Sequence, residues 1–256
     1  MDRDSIAPVG RLRVGTSGYD YGHWKGRFYP PDVAKKQWFS FYASKFDTVE
    51  INATFYRLPA PEVFDRWREL APAGFTYALK FSRYGTHLKH LKDPEDTLAA
   101  FVERAERLGP ALGPILVQLP PRWKVNPARL ESFMRVAPTR HRWAVEFRDP
   151  SWLCRDVFRI LRLHGAALCI HDLLPDHPIE TTADWAYIRF HGHVPGGRYG
   201  ARRLMLAVHV IERFLGEGLD VYAYFNNDAR AHAVRDAQQL KRLLGGGGPA
   251  EGSGEL

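Results

Sequence analysis

Glu50, Glu146, Asp172 and His191 are the side chains best suited to moving protons in this sequence. Two carboxylates in unlike surroundings work as a general acid and a general base, and an imidazole shuttles protons near neutrality. Asp172 suits either orienting His191 or holding a metal. A second set suits holding a substrate. Lys80, Arg148 and Arg189 would neutralise a phosphate or carboxylate, the arginines by forking onto a planar anion. Asn52, Gln118, Asn226 and Asn227 would read hydroxyls or base edges. Tyr56 and Tyr224, with Trp24 and Trp152, would stack on a sugar or a base.

A competing reading makes the same charges a self-neutralising network, with Glu50, Glu146 and Asp172 against Lys80, Arg148 and Arg189. Desolvation makes such a network a poor source of stability, so a perturbed charge cluster favours a site. Glu146, Asp172 and His191 are also metal-ligand types, with His193 two residues on. No Cys-x-x-Cys spacing accompanies them, and most of the 11 histidines fall outside strand ends, so no metal site is expected. No motif names a cofactor.

These residues share a place in the chain. Short β-rich runs at 12–16, 48–52, 76–81, 115–119, 143–148, 167–172, 185–191 and 221–226 alternate with helix-length segments. Helical patterns run over 36–46, 93–108, 126–136, 151–164, 202–215 and 229–244. Eight such units predict a parallel sheet closed into a (β/α)₈ barrel. The segment Gly15-Thr16-Ser17-Gly18-Tyr19 lacks the spacing of a dinucleotide-binding loop.

Alternation along each strand sorts residues onto two faces. Val49, Ile51, Tyr77, Leu79, Val145, Phe147, Ile188 and Phe225 form apolar faces expected to meet the helices. Glu50, Lys80, Glu146, Arg189, His191 and Tyr224 fall on the opposite faces, toward the barrel interior and near carboxyl strand ends. That end of a barrel is where active sites of this fold are built.

The bulk properties fit one soluble domain over 11–244, between an arm at 1–10 and a Gly-rich tail at 245–256. The chain has 256 residues, a formal charge of +7 and a pI of about 9.5. The basic balance admits an anionic small molecule or nucleic acid as partner. Arg122 and Lys124, and Arg198, Arg202 and Arg203, are the loop candidates for phosphate contacts. Residues 195–200 read as a possible lid over the site. Two cysteines, no apolar leader and no spanning segment point to the cytoplasm without membrane attachment. The oligomeric state is not set by sequence.

Several motifs together resemble the YecE-like proteins, the domain of unknown function 72, from about Val14 to Leu244. They are Gly15-Thr16-Ser17-Gly18-Tyr19 with Trp24 and Phe28-Tyr29-Pro30; Glu50-Ile51-Asn52-Ala53-Thr54-Phe55-Tyr56-Arg57; Gln118-Leu119-Pro120-Pro121; Glu146-Phe147-Arg148 with Ser151-Trp152; Asp172; Arg189-Phe190-His191-Gly192; and Tyr224-Phe225-Asn226-Asn227. Tyr19 stands where that family commonly has Trp. The resemblance implies a TIM-like barrel and no particular reaction. An analogy with endonuclease IV-type barrels brings DNA binding into view. The residues themselves point first to a hydrolase using acid/base chemistry on a phosphorylated or nucleotide-like substrate. A non-catalytic nucleic-acid binder, a metal-dependent nuclease and a sugar-isomerase-like enzyme are the alternatives.

Overall fold

A computed structural model describes residues 10–192 and 197–245. The arm at 1–9, the tail at 246–256, His193 and the first part of the expected lid lie outside the described residues. Eight strands run as β1 (Leu12–Thr16), β2 (Thr48–Ile51), β3 (Thr76–Lys80), β4 (Leu112–Gln118), β5 (Trp143–Glu146), β6 (Ala167–His171), β7 (Trp185–Phe190) and β8 (Asp220–Phe225). All pair in parallel, in the order β1-β8-β7-β6-β5-β4-β3-β2. The expected barrel is present.

The seam between β1 and β2 closes by a few specific contacts. Ser17 and Glu50 form a parallel bridge, and Gly18 donates its N–H to the Glu50 carbonyl at 2.7 Å. Tyr42 inserts its hydroxyl where the ladder is open, accepting from the Thr16 N–H at 2.9 Å and donating to the Thr48 carbonyl at 3.1 Å. Gly15 permits this approach, because a Cβ there would lie 2.3 Å from the Thr48 oxygen.

The helices are α1 (Trp38–Ala43), α2 (Ala53–Tyr56), α3 (Pro61–Leu70), α4 (Glu95–Glu106), α5 (Pro127–Val136), α6 (Arg155–Leu163), α7 (Ala201–Gly216) and α8 (His232–Gly245). Asn126 caps α5 as its side chain accepts from the Arg129 N–H at 3.0 Å. The helix α3 was not expected. Its only buried residue is Phe64, so its apolar stripe is too narrow to register as a helical period. The connection from β6 to β7 carries no helix. It leaves a cavity of about 380 Å³ between those strands and α7, lined by Ile170, Ile188, Phe190, Leu206 and Val210. No helix among the described residues is long and apolar enough to cross a membrane.

The two faces of the strands build two cores. Val49, Ile51, Tyr77, Leu79, Val145, Phe147, Ile188 and Phe225 pack outward with the helices. Ala78, Leu116, Ala144, Ala167, Cys169, Trp185, Tyr187, Tyr222 and Tyr224 fill the interior. Bulky aromatic rings from β7 and β8 thus sit opposite alanines from β3, β5 and β6, which keeps the interior packed without the usual branched aliphatics. The polar groups sit above this plug, at the carboxyl ends.

Candidate active site

Arg189 is the centre of the polar layer. Its side chain and those of Glu50 and Glu146 have no exposed surface. The guanidinium donates to Glu146 Oε2 at 2.5 Å and to Glu50 Oε1 at 2.7 Å. The two glutamates therefore do face one another across the barrel, but through a shared cation. Glu50 Oε1 also accepts from Ser17 at 2.5 Å, and Oε2 accepts from the Tyr187 hydroxyl at 2.7 Å. Glu146 Oε1 pairs with Arg148, and Oε2 lies 3.8 Å from the Cys169 thiol. All four carboxylate oxygens are engaged.

This pairing decides the protonation states. Burial would raise the Glu146 pKa, but the Arg189 and Arg148 cations outweigh it and hold the carboxyl well below its usual range. Burial opposes charge on Arg189 too, and the same two glutamates keep it firmly protonated. Glu146 is thus an anion that binds protons poorly.

Lys80 is placed differently. It is 8% exposed, and its Nζ lies 4.1 Å from the centre of the Phe55 ring. Among the described residues no carboxylate comes within 4.0 Å of that amine, and it makes no hydrogen bond to a protein acceptor. Burial, then the Arg189 guanidinium, lowers its pKa from 10.5 to about 8. Glu146 and Glu50 act in the opposite sense without restoring it. The ring face partly compensates a charged amine, but a neutral amine suits this setting well. His87 packs edge-on to Phe55, its ring centre 5.1 Å away, and burial with Lys80 nearby lowers its pKa to about 4.

Two histidines complete the layer. His191 takes an amide N–H from Asn226 on Nδ1 at 3.2 Å, which places its proton on Nε2. That nitrogen is buried without a hydrogen-bond partner, 3.9 Å from Glu146 Oε1. Burial lowers the His191 pKa to about 2, despite Glu146, so the ring is a neutral donor rather than a shuttle near neutrality. His171 donates from Nε2 to the Phe147 carbonyl at 2.7 Å and accepts the Leu173 N–H on Nδ1 at 3.3 Å. Burial lowers its pKa to about 4. Both rings are fixed and uncharged. Asn52 Oδ1 and Arg189 Nε are further buried polar atoms with no partner in this layer.

Several expected site residues stand elsewhere. Asp172 lies one residue beyond the interior-facing position of β6, which His171 occupies. Its carboxylate accepts the His191 backbone N–H at 2.9 Å and the Tyr199 hydroxyl. It fixes the chain rather than the His191 ring, so Glu146, Asp172 and His191 do not converge as ligands. Among the described residues no group of three or more His, Cys, Asp or Glu side chains is arranged to hold a metal. Among the described residues the layer is correspondingly not charge-balanced: Lys80, Arg148 and Arg189 face Glu50 and Glu146.

Tyr224 is wholly buried below the charged layer, 2.7 Å from the Thr48 hydroxyl, and does not reach a ligand. Asn227 is tied to Asp236 at 2.7 Å and to the Gly197 carbonyl at 2.9 Å. Trp24 and Trp152 are buried in the outer core. Tyr56 stands largely exposed on α2 beside Phe55. Gln118 remains in the layer, its oxygen 3.3 Å from Arg148. The described part of the expected lid is anchored, with Tyr199 buried and bonded to Asp172, Gly192 and Asp236. The loop cations are partly neutralised, Lys124 by Asp149 at 3.1 Å and Arg198 by Asp236 at 3.7 Å.

The site residues not singled out from the sequence are Ser17, Phe55, Tyr187, Cys169 and His171. Tyr187 and His171 were within reach, since alternation places them on the same faces as Arg189 and Cys169.

This combination of fold and charged layer can be set beside known proteins. The chain is 33% identical over 144 residues to the UPF0759 protein YecE of Escherichia coli K12, covering 53% of this chain and 52% of that one. It thus spans about half the length of that curated relative. It is 22% identical over 255 residues to the UPF0759 protein YunF of Bacillus subtilis 168, covering 84% and 89%. A DUF72 family protein from Thermotoga maritima MSB8 superposes with a TM-score of 0.83 at 28% identity, over 92% of this chain and 99% of that one. One from Enterococcus faecalis V583 has the same fold, with a TM-score of 0.79 at 19% identity, over 96% and 99%. The family model described as protein of unknown function DUF72 matches residues 13–253, and the chain belongs to the DUF72 family.

Proposed function

We propose that the protein is an enzyme that takes an anionic small molecule at the carboxyl-end mouth of the barrel and acts on it by acid/base chemistry centred on the Lys80 amine. One observation carries this reading. Three cations face two carboxylates, and Lys80 is the cation left without a carboxylate partner. A surplus positive charge at the strand ends recruits anions. Arg148, with its side chain 22% exposed and its Nη1 without a protein partner among the described residues, is the group able to reach a phosphate or carboxylate.

Hydrolysis driven by two glutamates is less well supported, because neither has an oxygen free to exchange a proton. In this reading Glu50 and Glu146 hold Arg189, and Arg189 lowers the proton affinity of Lys80. A phosphorylated or nucleotide-like substrate remains the favoured class. Nucleic acid is less favoured, since two of the five loop cations already have carboxylate partners.

Calorimetric titration with orthophosphate and with a nucleoside monophosphate tests the reading. We expect one anion per chain, with Arg148→Met weakening it about tenfold or more, as for loss of one charge-assisted hydrogen bond. No binding at millimolar anion, or unchanged binding in R148M, would overturn it. A steep salt dependence with oligonucleotides that survives R148M would move the assignment to the basic loops.

A further inference from the structure

We propose that Lys80 is a covalent catalytic residue whose amine condenses with the carbonyl carbon of an anionic oxo compound, a 2-oxo acid or a sugar phosphate, to give an imine. This rests on the reading of the mouth as an anion site and narrows its substrate class.

An amine attacks a carbonyl only through its free lone pair, so the residue must be partly unprotonated near neutrality and unpinned by a carboxylate. Lys80 is the one buried lysine among the described residues. Its Nζ has a ring face, not an acceptor, as its closest recorded partner. A pKa of about 8 leaves on the order of 200-fold more free amine at pH 7 than an ordinary lysine has. A desolvated setting and a nearby cation are the two devices that activate lysine nucleophiles, and burial with the Arg189 guanidinium supplies both, against the Phe55 ring face, which favours the ammonium.

The step balances without a co-reactant. The Nζ lone pair forms a bond to the carbonyl carbon, and the carbon–oxygen π pair moves to oxygen. The two protons lost by the amine leave with that oxygen as water, and the carbon–nitrogen double bond closes. Protonation of the imine nitrogen then makes an electron sink for breaking a neighbouring carbon–carbon or carbon–hydrogen bond. The anionic end of the substrate falls to Arg148, and the neutral His191 ring carries its Nε2 proton in the same layer.

Reductive trapping tests this directly. Wild type, Lys80→Met, Lys80→Arg and Arg148→Met are incubated with pyruvate or with dihydroxyacetone phosphate in the presence of borohydride, then mapped by peptide mass spectrometry. We expect a single reduced adduct per chain, on Lys80, absent in K80M and K80R and formed about tenfold more slowly in R148M. Trapping with pyruvate alone assigns the anion as carboxylate, and trapping with the phosphate alone assigns it as phosphate. Labelling spread over exposed lysines and unchanged in K80M, or no Lys80 adduct with either compound, overturns the imine. If orthophosphate still binds in that case, only the imine fails; if it does not bind, the anion site fails as well. Circular dichroism of each variant confirms that the barrel is folded in every comparison.

Discussion

Replacing Arg189 with methionine is expected to cost about 3–5 kcal/mol of folding stability, the range for breaking a buried ion pair by removing one partner. That corresponds to a fall of roughly 10 °C in Tm for a chain of this size. The reason is electrostatic and local. Among the described residues Arg189 is the one cation that touches both Glu50 and Glu146, and none of the three side chains has exposed surface. Without it Glu50 keeps only the Ser17 and Tyr187 hydroxyls, while Glu146 keeps Arg148 and the weak Cys169 thiol. Two carboxylates would stay buried with too little to offset their desolvation. Denaturant melts of R189M measure the loss. Adding Glu50→Gln and Glu146→Gln to R189M removes the stranded charges and is expected to recover most of it. A loss below about 1 kcal/mol in R189M would mean that the triad does not hold the layer together.

The second large effect concerns Lys80 and pH. Its folded pKa of about 8 lies below the unfolded value, near 10.4. Below pH 8 both states carry the proton, and the full cost of burying a charged amine is present. Between pH 8 and about 10.4 the unfolded chain holds a proton that the folded chain has released, so this group makes stability rise with pH. Cys169 acts the other way, because burial raises its thiol pKa and the unfolded thiol ionises first. The clean measurement is therefore the difference between wild type and Lys80→Met. That difference is expected to shift by about 2 kcal/mol in favour of wild type between pH 7 and pH 9.5. A difference independent of pH would mean that Lys80 keeps its proton through this range.

Much of this was legible in the chain itself. The eight strands lie within a few residues of their expected positions, because parallel barrel strands are short apolar runs separated by helix-length segments. Alternation alone put Glu50, Lys80, Glu146 and Arg189 on the interior face. It also places His171 there, whereas Asp172, its charged neighbour, turns away to Tyr199. The helix Pro61–Leu70 was hidden because one buried ring makes no periodic stripe. Pairing was beyond reach. Arg189 meets Glu50 across 139 residues and Glu146 across 43, and residue types do not say which of three cations takes which carboxylate. That choice turned a balanced set of three acids and three bases into a neutralised floor with a surplus amine above it. The same limit applies to Tyr224 and Asn227, whose polar tips suit ligand contacts by residue type and are consumed by Thr48 and Asp236.

Lys80 stands as an amine without a carboxylate partner among the described residues, at the carboxyl end of β3, and releases its proton near pH 8. The most direct test is a side-chain NMR titration of protein labelled at lysine Cε, with Lys80 assigned by its loss in K80M. The Lys80 resonance is expected to titrate near pH 8. A Lys80 resonance that keeps its proton up to about pH 10, the ordinary lysine range, would contradict the amine-centred chemistry.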